Sequence, residues 1–275
     1  MKNMSKNQKL DLQKFEALIS HMKFLELKYG LSLATSPKED EVFQLIPLYS
    51  FNKLKLRDEL FEYAAKMNGY CELPQIVDDK TYAKMPGYKY VFFKDETVGS
   101  ELFRGTSSAD FHANLLCDKD YHLGRGDMSN GIFVAIVLEK AKQYASSEED
   151  RDLVLRLKAP DMKIAGYTSL LVNLTKMLKG EESAKQAFGE KFDTFQTFLK
   201  KTDKNDLEKF IGLMHEDMGL FAMFLGYDAI YNETYPEMAI LNRSKITVSR
   251  SEYERICAAS KKHKHGRGEL GATLE

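Results

Sequence analysis

The chain has 275 residues, of which 43% are hydrophobic and 29% charged, proportions typical of a globular protein with room for one large domain or two small ones. Its formal net charge of -1 excludes a whole-chain electrostatic attraction to nucleic acid or to an anionic membrane surface. No stretch is long and apolar enough to predict a membrane-spanning helix, and the polar N-terminus lacks the apolar core of a signal peptide.

The N-terminal third has the residue pattern of helices. Apolar residues recur at helical spacing across Leu10–Lys28, and a second helix is expected at Lys53–Met67, beyond the break at Ser36-Pro37. We therefore predict an N-terminal helical region that covers residues 1–74.

The character of the sequence changes after Cys71, where aromatic and apolar residues begin to cluster in short runs. Such runs predict strands at Tyr88–Phe93, Glu101–Arg104, Ile132–Ala135 and Leu153–Leu157. The strand at Ile132–Ala135 leads into a helix that is expected to end near Tyr144.

A glycine-rich loop, Gly124–Gly131, precedes the Ile132–Ala135 strand. Its glycines stand at positions 124, 126 and 131, which departs from the Gly-x-Gly-x-x-Gly spacing, and no strand of a β-α-β unit precedes them. A Rossmann dinucleotide site is therefore not expected. The loop is either a flexible segment that covers a ligand or an ordinary connection.

Residues 168–225 return to helical spacing, and further strands follow them. We predict helices at Leu170–Lys179, Ser183–Leu199 and Asp206–Leu225, and strands at Ala229–Tyr231, Met238–Leu241 and Ile246–Val248. Mixed strands with segregated helices indicate an α+β fold. Residues 251–275 are predicted to form a basic, flexible tail.

The cysteines and histidines predict neither disulfides nor metal. Cys71, Cys117 and Cys257 are widely spaced and odd in number, so they show no disulfide framework and a reducing, cytoplasmic compartment is expected. His263 and His265 have no cysteine or acidic partners at ligand spacing, so no metal site is expected.

Five residues could carry chemistry, and each also has an ordinary structural explanation. Arg104 ends a strand, where it is either paired with an acid or clamps an anion, and Gly105 would let a ligand approach the backbone. Phe133 and Tyr144 are either core residues or rings that stack on a cationic nicotinamide. Glu237 opens a strand, where it is either solvated or placed to stabilise an oxocarbenium-like state.

Three stretches together resemble the ADP-ribosyltransferase superfamily. Leu102-Phe103-Arg104-Gly105 is similar to the strand whose key residue is Arg in the toxin-like clade and His in the poly(ADP-ribose) polymerase clade. Asn130–Ala135, with Tyr144 beyond it, is similar to the polymerase-type Gly-Ile-Tyr-Phe-Ala segment. Gly226–Ile230, continuing through Glu237 to Asn242-Arg243-Ser244, resembles the end of many bacterial and phage transferases. The resemblance covers residues 75–250.

The resemblance implies an ADP-ribosyltransferase-like split β-sandwich that takes NAD as a consumed substrate, with Glu237, Arg104 and Phe133 as catalytic residues. Arg104 would clamp the NAD phosphate or ribose, Gly105 would hold the nicotinamide carboxamide, and Tyr144 would stack on the ring. The NAD-contacting residues would be Arg104, Gly105, Thr106, Asn130, Phe133 and Tyr144.

The resemblance further implies a mono-ADP-ribosyltransferase of the toxin or effector kind, working inside a cytosol. Its acceptor would be a macromolecule, protein rather than nucleic acid, and a neutralising antitoxin would be its partner. No membrane partner is expected.

Several positions depart from the family patterns. Phe133 lacks the hydroxyl of the polymerase tyrosine, Ala141 replaces a serine, and Tyr235 stands where arginine-specific enzymes carry a second glutamate, a place that Glu233 could fill after an unusual turn. Two other functions stay open. One is an NAD-binding module or phage structural protein with this fold, and the other is a transferase that modifies nucleic acid, which the basic tail favours.

Overall fold

The computed structural model describes residues 4–31, 42–92, 95–106, 108–117, 128–145 and 153–271, with backbone alone at 42–51, 91–92, 95–98 and 262–271. The chain forms two compact units, which we call the helical unit and the sheet unit. The helical unit contains Met1–Asn68, Asp127–Asn130 and Tyr167–Gly226, and the sheet unit contains Gly69–Gly126, Gly131–Gly166 and Tyr227–Glu275.

The described residues form helices and strands that alternate irregularly along the chain. The helices are α1 (Lys6–Tyr29), α2 (Val42–Met67), α3 (Asp79–Lys84), α4 (Ala109–Cys117), α5 (Leu138–Lys142), α6 (Tyr167–Lys179), α7 (Glu182–Phe188), α8 (Glu190–Lys201), α9 (Lys204–Glu216), α10 (Met218–Leu225) and α11 (Arg250–Gly271). The strands are β1 (Gln75–Val77), β2 (Lys89–Phe92), β3 (Asp95–Val98), β4 (Leu102–Arg104), β5 (Ile132–Ala135), β6 (Leu155–Leu157), β7 (Ile164–Gly166), β8 (Ala229–Asn232), β9 (Glu237–Ile240) and β10 (Thr247–Ser249).

Phenylalanine rings form the centre of the helical unit. Phe15 of α1 stacks on Phe198 of α8 with ring centroids 4.4 Å apart, and the rings of Phe195, Phe210 and Phe224 surround it. These rings come from α8, α9 and α10, so the later helices complete a core around the apolar side of α1. Of the helical region predicted for residues 1–74, residues 1–68 are therefore one part of a unit that also contains Tyr167–Gly226, and residues 69–74 belong to the sheet unit.

Two helices that the apolar spacing predicts as continuous are each broken once. The segment Ser183–Leu199 is divided at Gly189, whose φ of 50° lies in the region that favours glycine. The segment Asp206–Leu225 is divided at Asp217, whose carboxylate accepts a hydrogen bond from the Gly219 amide at 2.9 Å and caps α10. Apolar spacing continues across both breaks, so periodicity alone does not locate them.

The sheet unit is built on a six-stranded sheet with the strand order β6-β4-β5-β9-β8-β7. Neighbouring strands are antiparallel except β7 and β8, which are parallel. A parallel pair (β1 and β10) and a hairpin (β2 and β3) accompany it, and a bridge between Lys158 and Thr247 links the chain after β6 to β10. The chain is thus a mixed α and β protein, consistent with the α+β class predicted from its sequence.

Two of the motif segments near the end of the chain hold the sheet unit together. The Asn242 side chain donates a hydrogen bond of 2.7 Å to Asp228, so the loop before β8 is tied to the segment that follows β9. Arg243 is fully buried, and its guanidinium donates to the backbone carbonyls of Cys71 and Glu72. A buried guanidinium needs such acceptors, so the Asn-Arg-Ser motif has a structural task here.

The segment predicted as a flexible tail contains a helix. Helix α11 spans Arg250–Gly271, while residues 272–275 lie outside the described part of the chain. Ile256 is fully buried, and the Ser260 hydroxyl donates to Asp110 of α4 at 2.6 Å. Packing against α4 therefore orders a stretch whose charge suggests a solvated tail.

Candidate functional site

Strand register assigns the predicted site residues to the two faces of the six-stranded sheet. Directly paired residues of neighbouring strands project to the same face, and consecutive residues of a strand project to opposite faces. Phe103 pairs with Ala135, and Ala135 pairs with Glu237, so these three side chains share what we call the Glu237 face. Arg104 pairs with Leu155 of β6 and projects from the other side, the Arg104 face.

Three polar residues meet on the Glu237 face and form what we call the Glu237 cluster: Lys140, Tyr144 and Glu237. The Tyr144 hydroxyl donates a hydrogen bond to the Glu237 carboxylate. The Lys140 ammonium lies 3.2 Å from the same carboxylate and 5.5 Å from the centroid of the Tyr144 ring. Burial and the nearby Glu237 carboxylate raise the pKa of Tyr144, so its hydroxyl stays a hydrogen-bond donor at neutral pH.

Helix α5 reaches this cluster because Gly105 lets it approach the sheet. A Cβ atom at position 105 would lie 1.8 Å from the Ala141 carbonyl oxygen and 3.3 Å from the Tyr144 Cβ. A side chain there is therefore excluded by the backbone of α5. Close packing of α5 accounts for the glycine, whether or not a ligand also uses it.

Phe133 belongs to the same face as Glu237. It pairs with Ala239 of β9 and lies two residues before Ala135, which pairs with Glu237. The sheet and α5 therefore bring together four of the predicted residues: Gly105, Phe133, Tyr144 and Glu237. Tyr144 is 47% exposed, so the ring is accessible from solvent.

Arg104 is separated from this group. Its side chain is buried, donates to the Phe111 carbonyl at 3.2 Å and lies 3.4 Å from the His112 ring nitrogen Nδ1. Thr106 joins it, because its hydroxyl lies 3.3 Å from His112 Nε2 and donates to the Ser108 carbonyl at 2.8 Å. The resemblance implies that Arg104 and Glu237 serve one site, but the structure does not bring them together. Strand β5 lies between β4 and β9, and the register puts the Arg104 guanidinium on the opposite face, beside α4.

Asn130 lies in the helical unit, outside the part of the chain that carries the other candidates. Its side chain is fully buried and donates to Asp58 at 2.8 Å, and its backbone amide donates to Asp217 at 3.2 Å. These contacts give Asn130 a structural role in that unit. The residue before Gly131 in the motif thus packs with helices, while Gly131 itself belongs to the sheet unit.

Glu233, the alternative second glutamate, takes a different direction. Its carboxylate packs against Gly166, where a Cβ atom would meet Glu233 Oε1 at 2.0 Å and the Tyr90 hydroxyl at 2.9 Å. Burial, with a contribution from the Glu233 carboxylate, raises the pKa of Tyr90 to about 12. The Glu233 carboxylate thus lies beside residues of β7 and β2.

Sequence reasoning missed His112 and Lys140, which contact the predicted residues directly. The spacing of Lys140 and Tyr144, four residues apart around the end of α5, was the available signal for one of them. His112 gave no such signal, because its proximity to Arg104 depends on how α4 packs.

The remaining predictions concern the glycine-rich loop, the two late histidines, metal binding and membrane-spanning helices. Glycines 124 and 126 lie outside the described residues, as do the side chains of His263 and His265. Within the described residues, no group of three or more His, Cys, Asp or Glu is arranged to hold a metal ion. Among the same residues, no helix is long and apolar enough to cross a membrane.

Comparisons with protein-family models, with curated proteins and with solved structures return no match for this chain.

Proposed function

We propose that this protein is a mono-ADP-ribosyltransferase, which cleaves the nicotinamide glycosidic bond of NAD and transfers ADP-ribose to a macromolecular acceptor, protein in preference to nucleic acid. The observation that supports it is the hydrogen bond from Tyr144 to Glu237, on the sheet face that also carries Phe133 and next to the backbone of Gly105. An ADP-ribosyltransferase-like split β-sandwich is part of the same proposal.

Glu237 has the chemistry that this reaction needs. When the bond between the ribose carbon and the ring nitrogen breaks, its electron pair leaves with nicotinamide, which becomes neutral, and positive charge develops on the ribose. A carboxylate beside the ribose stabilises that charge and accepts a hydrogen bond from a ribose hydroxyl. The acceptor then bonds to the same ribose carbon and loses its proton, so no second catalytic acid is required.

Tyr144 and Phe133 would hold the ring. The positively charged pyridinium is attracted to an aromatic face both by stacking and by a cation–π interaction. The Lys140 ammonium lies 5.5 Å from the Tyr144 ring centroid and 3.2 Å from Glu237, so a positive charge is already held close to both groups. A bound pyridinium riboside would take over these two interactions.

In this proposal Arg104 does not clamp the NAD phosphate or ribose. Its guanidinium is held by α4, so it acts as a positioning residue for the Gly105–Thr106 segment rather than as a group beside Glu237. An effector or toxin acting in a cytosol, with a neutralising protein partner, is the biological setting that the proposed reaction fits.

The test uses the wild-type chain with NAD. The proposal expects nicotinamide release and, with NAD labelled on its adenine half, transfer of label to proteins of a cell lysate. Label that survives protease treatment but not nuclease treatment would identify the acceptor as nucleic acid. Binding of NAD by calorimetry without nicotinamide release over hours would replace the proposal with a binding module.

A further inference from the structure

Two of the three cysteines, 140 residues apart in the sequence, meet on the surface of the sheet unit. The Cys117 sulfur, at the end of α4, lies 3.7 Å from the Cys257 sulfur of α11. Both are free thiols in this structure, Cys117 exposed and Cys257 half-buried. This inference does not depend on the proposed transferase activity.

The two helices are held side by side in an antiparallel arrangement. Asp110, near the start of α4, accepts a hydrogen bond from Ser260, and Cys117, at its end, lies 3.4 Å from the Tyr253 hydroxyl. Because contacts exist at both ends of α4, the approach of the sulfurs is set by helix packing and not by one mobile side chain.

In a disulfide the two sulfurs are about 2.05 Å apart, and the two α-carbons must be close enough for the side chains to bridge them. Sulfurs that already touch at 3.7 Å can reach that distance by side-chain rotation with small backbone shifts. Cys71 is half-buried elsewhere in the sheet unit, beside the Arg243 guanidinium to which its carbonyl is bonded. It therefore serves as an internal reference thiol.

We propose that Cys117 and Cys257 are a reversible dithiol site that takes a peroxide oxidant and forms an intrachain disulfide joining α4 to α11. The exposed Cys117 thiolate attacks one peroxide oxygen, the O–O bond breaks, and hydroxide leaves to give a sulfenic acid. The Cys257 sulfur then attacks that sulfur, and the sulfenic oxygen leaves as water. Two thiols are oxidised and one hydrogen peroxide is reduced to two waters.

The surroundings of the two thiols determine which of them reacts first with peroxide. Burial, together with the neighbouring Cys117, raises the pKa of Cys257, which keeps it protonated and less reactive toward the oxidant. Cys257 is thus the resolving partner. The bond would fix α4, which carries the His112 ring and the Phe111 carbonyl that hold Arg104.

The experiment treats the full chain with hydrogen peroxide and counts free thiols, with a non-reduced peptide digest to locate the bond. Free thiols should fall from three to one, a peptide linking Cys117 to Cys257 should appear, and a dithiol reductant should restore all three thiols. Cys71→Ser should still form the link. Cys117→Ser and Cys257→Ser, which remove one sulfur each, should not.

Two results would overturn the proposal. One is oxidation of Cys117 to sulfinic acid with no linked peptide in the folded wild-type chain. The other is a peroxide-induced dimer joined through Cys117 in place of the intrachain link. Circular dichroism of each serine variant establishes that it is folded, so loss of the link in a folded variant reports the missing thiol.

Discussion

The helical unit and the sheet unit each contain a carboxylate bound to nearby groups, and the two carboxylates differ in what surrounds them. Asp217 is fully buried, and both of its oxygens accept backbone hydrogen bonds, from Gly219 at 2.9 Å and from Asn130 at 3.2 Å. Glu237 is bound by two side chains of the short segment around α5, Tyr144 and Lys140. Backbone donors cannot move away without a change in the path of the chain, whereas side-chain donors can rotate away for a ligand.

This difference marks Asp217 as a structural carboxylate, and the proposed function requires that Glu237 exchange its side-chain partners for a ligand. Burial of a charged group is tolerated at Asp217 because the fold supplies every partner. The Glu237 cluster instead contains a ring, that of Tyr144, which is 47% exposed.

The stability of the chain should depend on the protonation of Asp217. Burial raises its pKa to about 6 from an ordinary value of 3.8, so the folded state holds the proton more tightly than the unfolded state. The contribution to stability is therefore greatest below about pH 4 and falls by about 3 kcal/mol as the pH rises to about 6. Urea unfolding should show this decline in the wild type and lose it in Asp217→Asn. If the free energy of unfolding depended on pH identically in the two chains, the raised pKa would not belong to Asp217.

Replacing Arg104 by Met should lower the free energy of unfolding by about 1.5–3 kcal/mol, because a buried charged hydrogen bond is lost. A positioning role predicts that NAD affinity, measured by calorimetry, falls together with stability. Arg104→Lys, which keeps the charge, should recover part of both. Loss of NAD binding in an Arg104→Met chain with wild-type stability would instead return Arg104 to direct contact with the ligand.

Gly105→Ala should displace α5 and destabilise the sheet unit by about 1–3 kcal/mol, because the new methyl group meets the Ala141 carbonyl. The displacement should also separate Tyr144 from Glu237 and reduce nicotinamide release. Gly212→Ala is the matched control: space around Gly212 is open, and alanine in a helix interior gains up to about 1 kcal/mol. Equal melting curves for Gly105→Ala and the wild type would show that α5 does not need the glycine.

Lys140→Met should change stability by less than about 1 kcal/mol, as is typical for a partly exposed ion pair. It removes the cation that the ligand must replace between Tyr144 and Glu237, so NAD should bind several-fold more tightly in calorimetry, by about 1 kcal/mol. Weaker binding would mean that the ammonium contacts NAD, and the view of Lys140 as a stand-in cation would be wrong.

The sequence predicts much of the secondary structure because periodic patterns report local burial. Helices α1 and α6, the second half of α2 and strands β5 and β9 follow from spacing. Phe133 and Glu237 share one face of the sheet, and Tyr144 bonds to Glu237 there. The helix breaks at Gly189 and Asp217 were not predicted, since apolar residues continue on both sides of each break.

The position of Arg104 could not be read from the sequence, for a geometric reason. Strand β4 has three residues, so alternation of apolar and polar side chains is too short to fix which face each one takes. A one-residue change of register would move Arg104 to the Glu237 face. The proximity of Cys117 and Cys257 is likewise a product of helix packing, which sequence spacing across 140 residues does not encode.

The most direct test of the account compares Glu237→Gln with Glu139→Gln in nicotinamide release from NAD. Glu139 is an exposed glutamate of α5, next to Lys140 in the chain and paired with Lys142, so its substitution controls for the loss of a nearby negative charge. We expect Glu237→Gln to lose about 10²–10³-fold in rate while NAD still binds, and Glu139→Gln to keep the wild-type rate. Full nicotinamide release by a folded Glu237→Gln chain would contradict the account.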